Sequence, residues 1–373
     1  MAANFIAVAS RMSLVTFIGI YFVTRAGIDL ATVGVAFLCE NLARGTLAPV
    51  FGALSDRVGR RRLLVVSAAA TALVLPSFLL VSGPVSLIAW SFALGITGAV
   101  NMPVAGALLL DLAPAERRQS VLALNYTVIS IAYTAAVSPA GYVAERGYGL
   151  LAALSAAGYA LVAVLYAAAL RGPLPRDPAT EAGVARDTLS AFSDRRFLAF
   201  AAAACIFPLS MGMVVAVSPL FAAAMGLREG YIGLVLGGNS LVVVLAALPV
   251  AARMERSGPF AFLPVSALMV AAGLACYGAI DDAATALLVG TLVFSLGEIV
   301  FSSAVPAAVA RLAPAGRRGA YQGGWALVQS LAMGSALVLS GALSARVGWP
   351  PTWLAFAALA LAAAGAFAFK LRD

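Results

Sequence analysis

Histidine is absent from this chain, cysteine occurs only three times, and 11% of the 373 residues are charged. The first absence removes the usual imidazole metal ligand and the side chain that most readily moves protons at neutral pH. Cys39, Cys205 and Cys276 lie inside apolar runs at no metal-ligand spacing and read as small buried hydrophobes. Walker loops, nucleophile elbows and clusters of metal ligands are also missing, so an enzyme reading has no chemistry to rest on. Ordinary soluble domains carry about 25% charged residues. A chain of this length has room for two of them, but two soluble domains this poor in charge are excluded. What is there instead is apolar: 62% hydrophobic residues and a mean hydropathy of +0.99. Runs of about 20 apolar residues recur throughout, each able to cross a bilayer as a helix.

Twelve such runs are predicted. The first six cover roughly 3–24, 31–53, 63–82, 85–110, 119–141 and 149–170, and the second six roughly 197–222, 231–252, 260–279, 284–310, 320–343 and 350–369. This divides the chain into a six-helix bundle over 1–170, a polar linker over 171–196 with one short surface helix near 187–195, and a second bundle over 197–373. The first run carries Arg11 and lacks a small-residue cleavage site before the next, so no cleavable leader is expected. Twelve spans put both termini on one side, which holds 18 of the 24 basic residues against four on the other. By the positive-inside rule the termini and linker are cytoplasmic, in a cell membrane that would be the inner membrane of a bacterium. The net charge of +8 is thereby explained by topology, with no nucleic-acid partner implied.

The stretch GALSDRVGRRRLL, Gly52 to Leu64, interrupts this pattern with one acid and four arginines. It has an echo: Asp56, Arg57 and Gly59 match Glu255, Arg256 and Gly258 at an offset of 199. DLAPAERRQS from residue 111 matches RLAPAGRRGA from residue 311, and Arg146 matches Arg346, both at 200. A constant offset across separated anchors marks parallel repeats related by an axis along the membrane normal.

GALSDRVGRR resembles the signature of the major facilitator superfamily, Gly-x-x-x-Asp-Arg-x-Gly-Arg-Arg, at every defined position. The resemblance extends over essentially the whole chain through the span count, the central linker and the repeat. It implies an all-α membrane protein: twelve transmembrane helices in two six-helix bundles with pseudo-two-fold symmetry. It further implies that Gly52, Asp56, Arg57, Gly59, Arg60 and Arg61 form a latch between the halves. In that reading Gly52 permits close helix approach and Gly59 a tight turn. Asp56 gains about 0.3–1 kcal/mol near a helix N-terminus.

Four charged residues fall well inside the spans: Arg11, Glu40, Arg44 and Glu298. Each costs about 2.5–3.5 kcal/mol at a helix centre on insertion scales and is a functional candidate by default. Glu40 and Arg44 stand four apart on one helix face and are expected to pair, with Arg11 as a possible sharer. Glu298 has no basic neighbour closer in sequence than Arg311, about 20 Å along the helix. Low dielectric favours its protonated form, and access to water or a cation favours the ionised one. Gly297-Glu298, Leu312-Ala313-Pro314 and Arg318-Gly319-Ala320-Tyr321-Gln322-Gly323 resemble a subgroup of twelve-helix drug/proton antiporters. Two features depart from that subgroup. The fourth span has no arginine, and the fifth-span signature survives only as Ser138-Pro139-Ala140-Gly141, where Pro139 is expected to bend the helix.

Asn101, Asn125, Asn239 and Gln329, with Tyr126, Tyr133, Trp325, Met211 and Met213, are candidates to line a cavity between the halves. Such a set lacks a strong fixed charge and suits an amphipathic, neutral or cationic molecule. The leading expectation is a monomeric secondary transporter exporting a lipophilic or cationic compound in exchange for protons, with lipids, protons and substrate as partners and no cofactor beyond the proton gradient. A facilitator or proton symporter for a metabolite is the alternative within transporters. A receptor or scaffold would leave Glu298 without a cycle to serve.

Overall fold

The computed structural model describes residues 1–114, 117–169, 191–314 and 317–369. Among them are twelve long helical passages and no strand. The first half contains α1 (Ala2–Thr24), α2 (Leu30–Val58), α3 (Arg60–Val74, extended by a 3-10 turn at Pro76–Leu80), α4 (Pro84–Leu112), α5 (Arg118–Arg146) and α6 (Tyr148–Ala169). The second half begins with α7, which runs from Arg195 to Ala224 through a π turn at Met213–Val217. Then come α8 (Glu229–Ser257), α9 (Phe260–Ala279), α10 (Ala283–Leu312), α11 (Arg318–Val347) and α12 (Trp349–Phe369). Twelve passages return the chain to the side on which it began, called here the terminal side. The opposite end is the far side.

Several helices outrun the apolar segments that predict them. α2 continues to Val58 rather than stopping near residue 53, and α5 to Arg146 rather than 141. Charged residues past the hydrocarbon can keep extending the i→i−4 ladder until a residue with positive φ ends it. Six glycines have positive φ, and they form three pairs: Gly27 with Gly226, Gly59 with Gly258, and Gly147 with Gly348. Each pair is separated by about one repeat. The backbone nitrogens of Arg117 and Arg317 bond the carbonyls of Pro114 and Pro314 at 2.9 and 3.0 Å, another matched turn. The repeat read from sequence is therefore built into the turns. Of the surface helix expected near 187–195, only a 3-10 turn at Ala191–Ser193 falls among the described residues, and Arg195 already belongs to α7.

Packing follows the same symmetry. α2 packs on α4, α1 on α5 and α3 on α6, mirrored by α8 on α10, α7 on α11 and α9 on α12. Between the halves, α2 meets α11 and α5 meets α8, two contacts that the pseudo-two-fold exchanges. Glycine makes both possible. A Cβ on Gly34 would fall 2.9 Å from the Val338 nitrogen, and one on the equivalent Gly233 would fall 2.7 Å from the Val137 carbonyl. Without hydrophobic force between helices in lipid, close backbone approach and dispersion hold such interfaces together.

At the far end of each half an aromatic cluster ties first and last helices together. Tyr21 of α1 lies 5.1 Å from Tyr148 of α6 and 4.9 Å from Phe78, ring centre to ring centre. In the other half Phe221 of α7 lies 5.7 Å from Trp353 of α12, which stacks on Tyr277 at 4.3 Å. Aromatic pairs in these geometries contribute about 0.5–1.5 kcal/mol beyond their buried area.

Candidate functional site

The buried charges come first. Arg11 is the tenth residue of α1 and Glu40 the eleventh of α2, and they form a buried ion pair through Nη2 and Oε1. The expected Glu40–Arg44 pair is thereby corrected. Arg44 instead donates to Asn41 Oδ1 at 2.6 Å, while Glu40 is turned toward α1. The four-residue spacing permits an intrahelical pair, but a fully desolvated cation on the facing helix is the stronger partner.

Glu298 is the sixteenth of thirty residues in α10 and half-buried. Asn239 of α8 donates its Nδ2 to Glu298 Oε2 at 3.1 Å, and the Asn239 Oδ1 contacts the Ser295 hydroxyl. No ion pair reaches Glu298 among the described residues. Tyr133 of α5 faces Thr16 of α1 and lies within electrostatic reach of Glu298, which brings both halves to one place. Chemically the two acids differ. Glu40 is locked to a cation, whereas Glu298 is held by a neutral amide that tolerates either protonation state. Ser295, one turn before Glu298, was not singled out from sequence, though its i−3 position is the signal that finds it.

The remaining predicted cavity residues separate. Asn125 accepts from Asn4 at 2.9 Å, and Asn4 in turn accepts from Tyr166 at 3.0 Å, a chain joining α1, α5 and α6 inside the first half. Trp325 is buried against Phe200 at 6.4 Å. Met211 packs half-buried on the core, Met213 is buried, Asn101 is half-buried on α4, and Gln329 is exposed on α11. The Tyr126 side chain lies outside the described residues. A cavity opens beside Glu40 in the far half of the protein, walled by Phe22, Phe37 and Trp90 and by Val215 and Ala216 of the α7 π turn. None of the predicted cavity residues lines it. π turns recur at functional positions in helices, yet no sequence signal in Met213–Val217 announces this one.

The signature stretch proves to be mostly helix. Gly52 through Val58 form the end of α2, and Gly59, with φ of 94°, turns the chain into α3. Asp56 is thus in the last turn of α2 and not at a helix N-terminus, since α3 starts only at Arg60. The Asp56 side chain lies outside the described residues. Gly52 does not serve a close approach, because a Cβ there would meet nothing within 4 Å. Arg57 is exposed. Arg60 pairs with Asp111 at the end of α4, and Arg61 donates to the Ala167 carbonyl of α6 at 2.6 Å. These two described arginine contacts clamp helices of one half together.

α5 runs as one helix through Pro139, and the stretch Ser138–Gly141 forms a contact surface. Gly141 lies against the Glu229 carbonyl and Ser138 against Gly237, both on α8. One turn further on, Glu145 joins the halves at the far side. It accepts from Arg228 at 2.5 Å and from the Gly230 backbone nitrogen at 2.8 Å. Glu145 falls between the fifth and sixth predicted spans and Arg228 and Gly230 between the seventh and eighth, and partners more than eighty positions apart leave no local signal.

Two pseudo-equivalent six-helix halves, with a carboxylate held mid-helix near the contact between them, define a polytopic membrane transporter. The chain matches the Major Facilitator Superfamily over residues 1–232 and 200–373, and it belongs to that family. Among solved structures, the nucleoside transporter NupG is similar at a TM-score of 0.83 and 16% identity, covering 100% of this chain and 98% of that one. A POT family transporter in complex with 5-aminolevulinic acid is similar at 0.82 and 13%, covering 100% and 95%. A bacterial homolog of the human lysosomal transporter Spinster, inward-facing and unoccupied, gives 0.78 and 13%, covering 98% and 94%. A Na(+), Li(+), K(+)/H(+) antiporter of Planococcus maritimus is 32% identical over 123 residues, which is 31% of this chain and 28% of that relative's length.

Proposed function

We propose that this transporter exports small lipophilic or cationic molecules in exchange for protons, with Glu298 carrying the proton. Its termini and central linker face the cytoplasm, and its residence is a bacterial inner membrane. The observation that carries this reading is the Asn239–Glu298 contact. A mid-membrane acid held by a neutral amide takes up or releases a proton without stranding a buried cation. The partial match to a cation/proton antiporter supports antiport over symport. The aromatic walls beside Glu40 suit apolar or cationic cargo.

Alternating exposure of Glu298 to the two sides then couples the fluxes. Protonated, the residue is tolerated against apolar helices, and ionised it requires water or a cationic cargo. The test uses purified protein in proteoliposomes with an imposed pH gradient and ethidium or sodium as probe. Uphill movement of either probe, with matching proton counterflow, is the expected result. Downhill flux that ignores the pH gradient would replace this reading with that of a facilitator.

A further inference from the structure

The two halves place their membrane acids at different members of one pair of equivalent positions. Glu40 is the eleventh residue of α2, and Asn239 is the eleventh of α8. Ser67 donates to the Thr97 carbonyl at 2.9 Å, and Ser266 donates to the Gly297 carbonyl at 2.9 Å, which sets α4 and α10 in matching register. Gly98 is therefore the counterpart of Glu298. The neighbouring contacts repeat too: Gly95 lies against the Glu40 backbone carbonyl, and Ser295 against Asn239. One half has an acid facing glycine, and the other has an amide facing an acid.

Arg11 fills the space over Gly98. A Cβ at Gly98 would sit 3.1 Å from both terminal nitrogens of the guanidinium. Arg11 is only 6% exposed, and its Nη1 has no hydrogen-bond partner among the described residues. The guanidinium thus occupies in the first half the place that the Glu298 carboxyl takes in the second. Two other titratable groups stand near Arg11 and Glu40: Arg44, bonded to Asn41, and Tyr159 of α6, with the hydroxyls of Thr16 and Ser91 on the cavity beside Glu40. The charged residues of α3, α4 and α11 lie at helix ends, so those helices bring no charge to this level. Around Glu298 the polar groups are Asn239, Ser295 and Tyr133, and α7, α9 and α11 carry no charged residue in their middle turns.

We propose that Arg11 is a tethered counter-cation that withdraws Glu40 from proton exchange and leaves Glu298 as the single proton carrier. The inference rests on the reading of Glu298 given above. Protonating Glu40 would leave a buried guanidinium unpaired, so contact with Arg11 keeps that carboxylate ionised throughout the cycle. Two free acids would load two protons, and Arg11 holds the number at one. It is a positioning residue, setting stoichiometry without touching cargo.

Infrared difference spectroscopy between acidic and alkaline pH, on the full chain in lipid, tests this without knowledge of the cargo. Protonated carboxyls buried in the membrane give a sharp C=O stretch. The wild type should show one such titrating band, absent in Glu298→Gln. Arg11→Gln should add a second band, lost again in Arg11→Gln/Glu40→Gln, where two amides share the space and the Glu298 band reports correct folding. Gly98→Val, which crowds the flexible guanidinium off Glu40, should produce the same second band should Arg11→Gln fold poorly. No second band in either variant, or one that survives Glu40→Gln, overturns the proposal. A wild-type spectrum without the Glu298 band instead overturns the carrier reading, while the Arg11→Gln arm still reports on Glu40 separately.

Discussion

Asn239 on α8 donates to Glu298 on α10 at 3.1 Å, so a carboxylate at mid-helix is held by a group that carries no charge. In the other half the equivalent level holds the Arg11–Glu40 ion pair. On the reading proposed above, the asymmetry separates an acid free to exchange its proton from one that is not.

Glu298→Gln fixes the group in a form like the protonated one. Uphill, pH-driven transport in proteoliposomes should be lost, while downhill leak or exchange survives because the cavity keeps its shape. Glu40→Gln should retain pH-driven transport per folded molecule but lower stability by about 3–5 kcal/mol, since Arg11 is left buried without a counter-charge. Thermal unfolding in detergent distinguishes the two effects. Full pH-driven accumulation by Glu298→Gln would assign the proton to another group.

Asp56→Asn should slow turnover at equal expression while leaving cargo affinity close to wild type, because the residue stands at the terminal end of α2, far from Glu298. Normal turnover would leave Asp56 without a part in the conformational cycle. The neighbouring Arg60–Asp111 pair can be measured by a double-mutant cycle with Arg60→Gln and Asp111→Asn. A coupling on the order of 1 kcal/mol is expected for a pair between the exposed and buried limits.

At the far side, Glu145→Ala removes the acceptor of the Gly230 nitrogen and should shift the population toward states open on that side. Spin-label distances across the α5–α8 ends would report the shift as a longer component. Arg228→Ala should move the distances far less, because that side chain is 80% exposed and its ion pair is solvent-screened. Equal effects from the two variants would make the ion pair, and not the backbone contact, the closing element.

Asp194 caps α7 and accepts from the Tyr321 hydroxyl at 2.7 Å, which holds its carboxyl below the usual range. A depressed folded-state pKa contributes stability that is present above the unfolded value near 3.9 and is lost as pH falls through the folded value. Tyr321→Phe should therefore cost about 0.5–1 kcal/mol at neutral pH, reduced by solvent at this half-buried site. The difference from wild type should shrink as pH falls through the lowered folded-state value of Asp194. A cost independent of pH would mean that the hydroxyl contributes through something other than the ionised Asp194 carboxylate.

Hydropathy resolves the twelve passages and their order, because each span must bury its backbone groups within itself, and the matched polar motifs at their ends resolve the repeat. The helix ends were less legible: apolar runs stop at the hydrocarbon boundary, whereas hydrogen-bond ladders continue to a glycine such as Gly59. Long-range polar pairing was legible only as candidates. Glu40 and Arg44 satisfied the local spacing rule, yet the partner came from Arg11 on a different helix. Asn125 looked like a cavity residue until Asn4 and Tyr166 closed a chain with it. Nothing in a single sequence says which face of a uniformly apolar helix meets which neighbour, and the amphipathic signal that would tell is missing from these spans.

The far-side aromatic clusters bear on how the molecule is made. Tyr21, Phe78 and Tyr148 belong to α1, the end of α3 and α6, so a nascent chain released as far as α6 already contains every ring of its cluster. Phe221, Tyr277 and Trp353 span α7 to α12, so the second cluster cannot close until the final helix has left the ribosome. Each half thus carries the rings that close it, and a stop codon before α12 should spare the first cluster while leaving the second without its keystone.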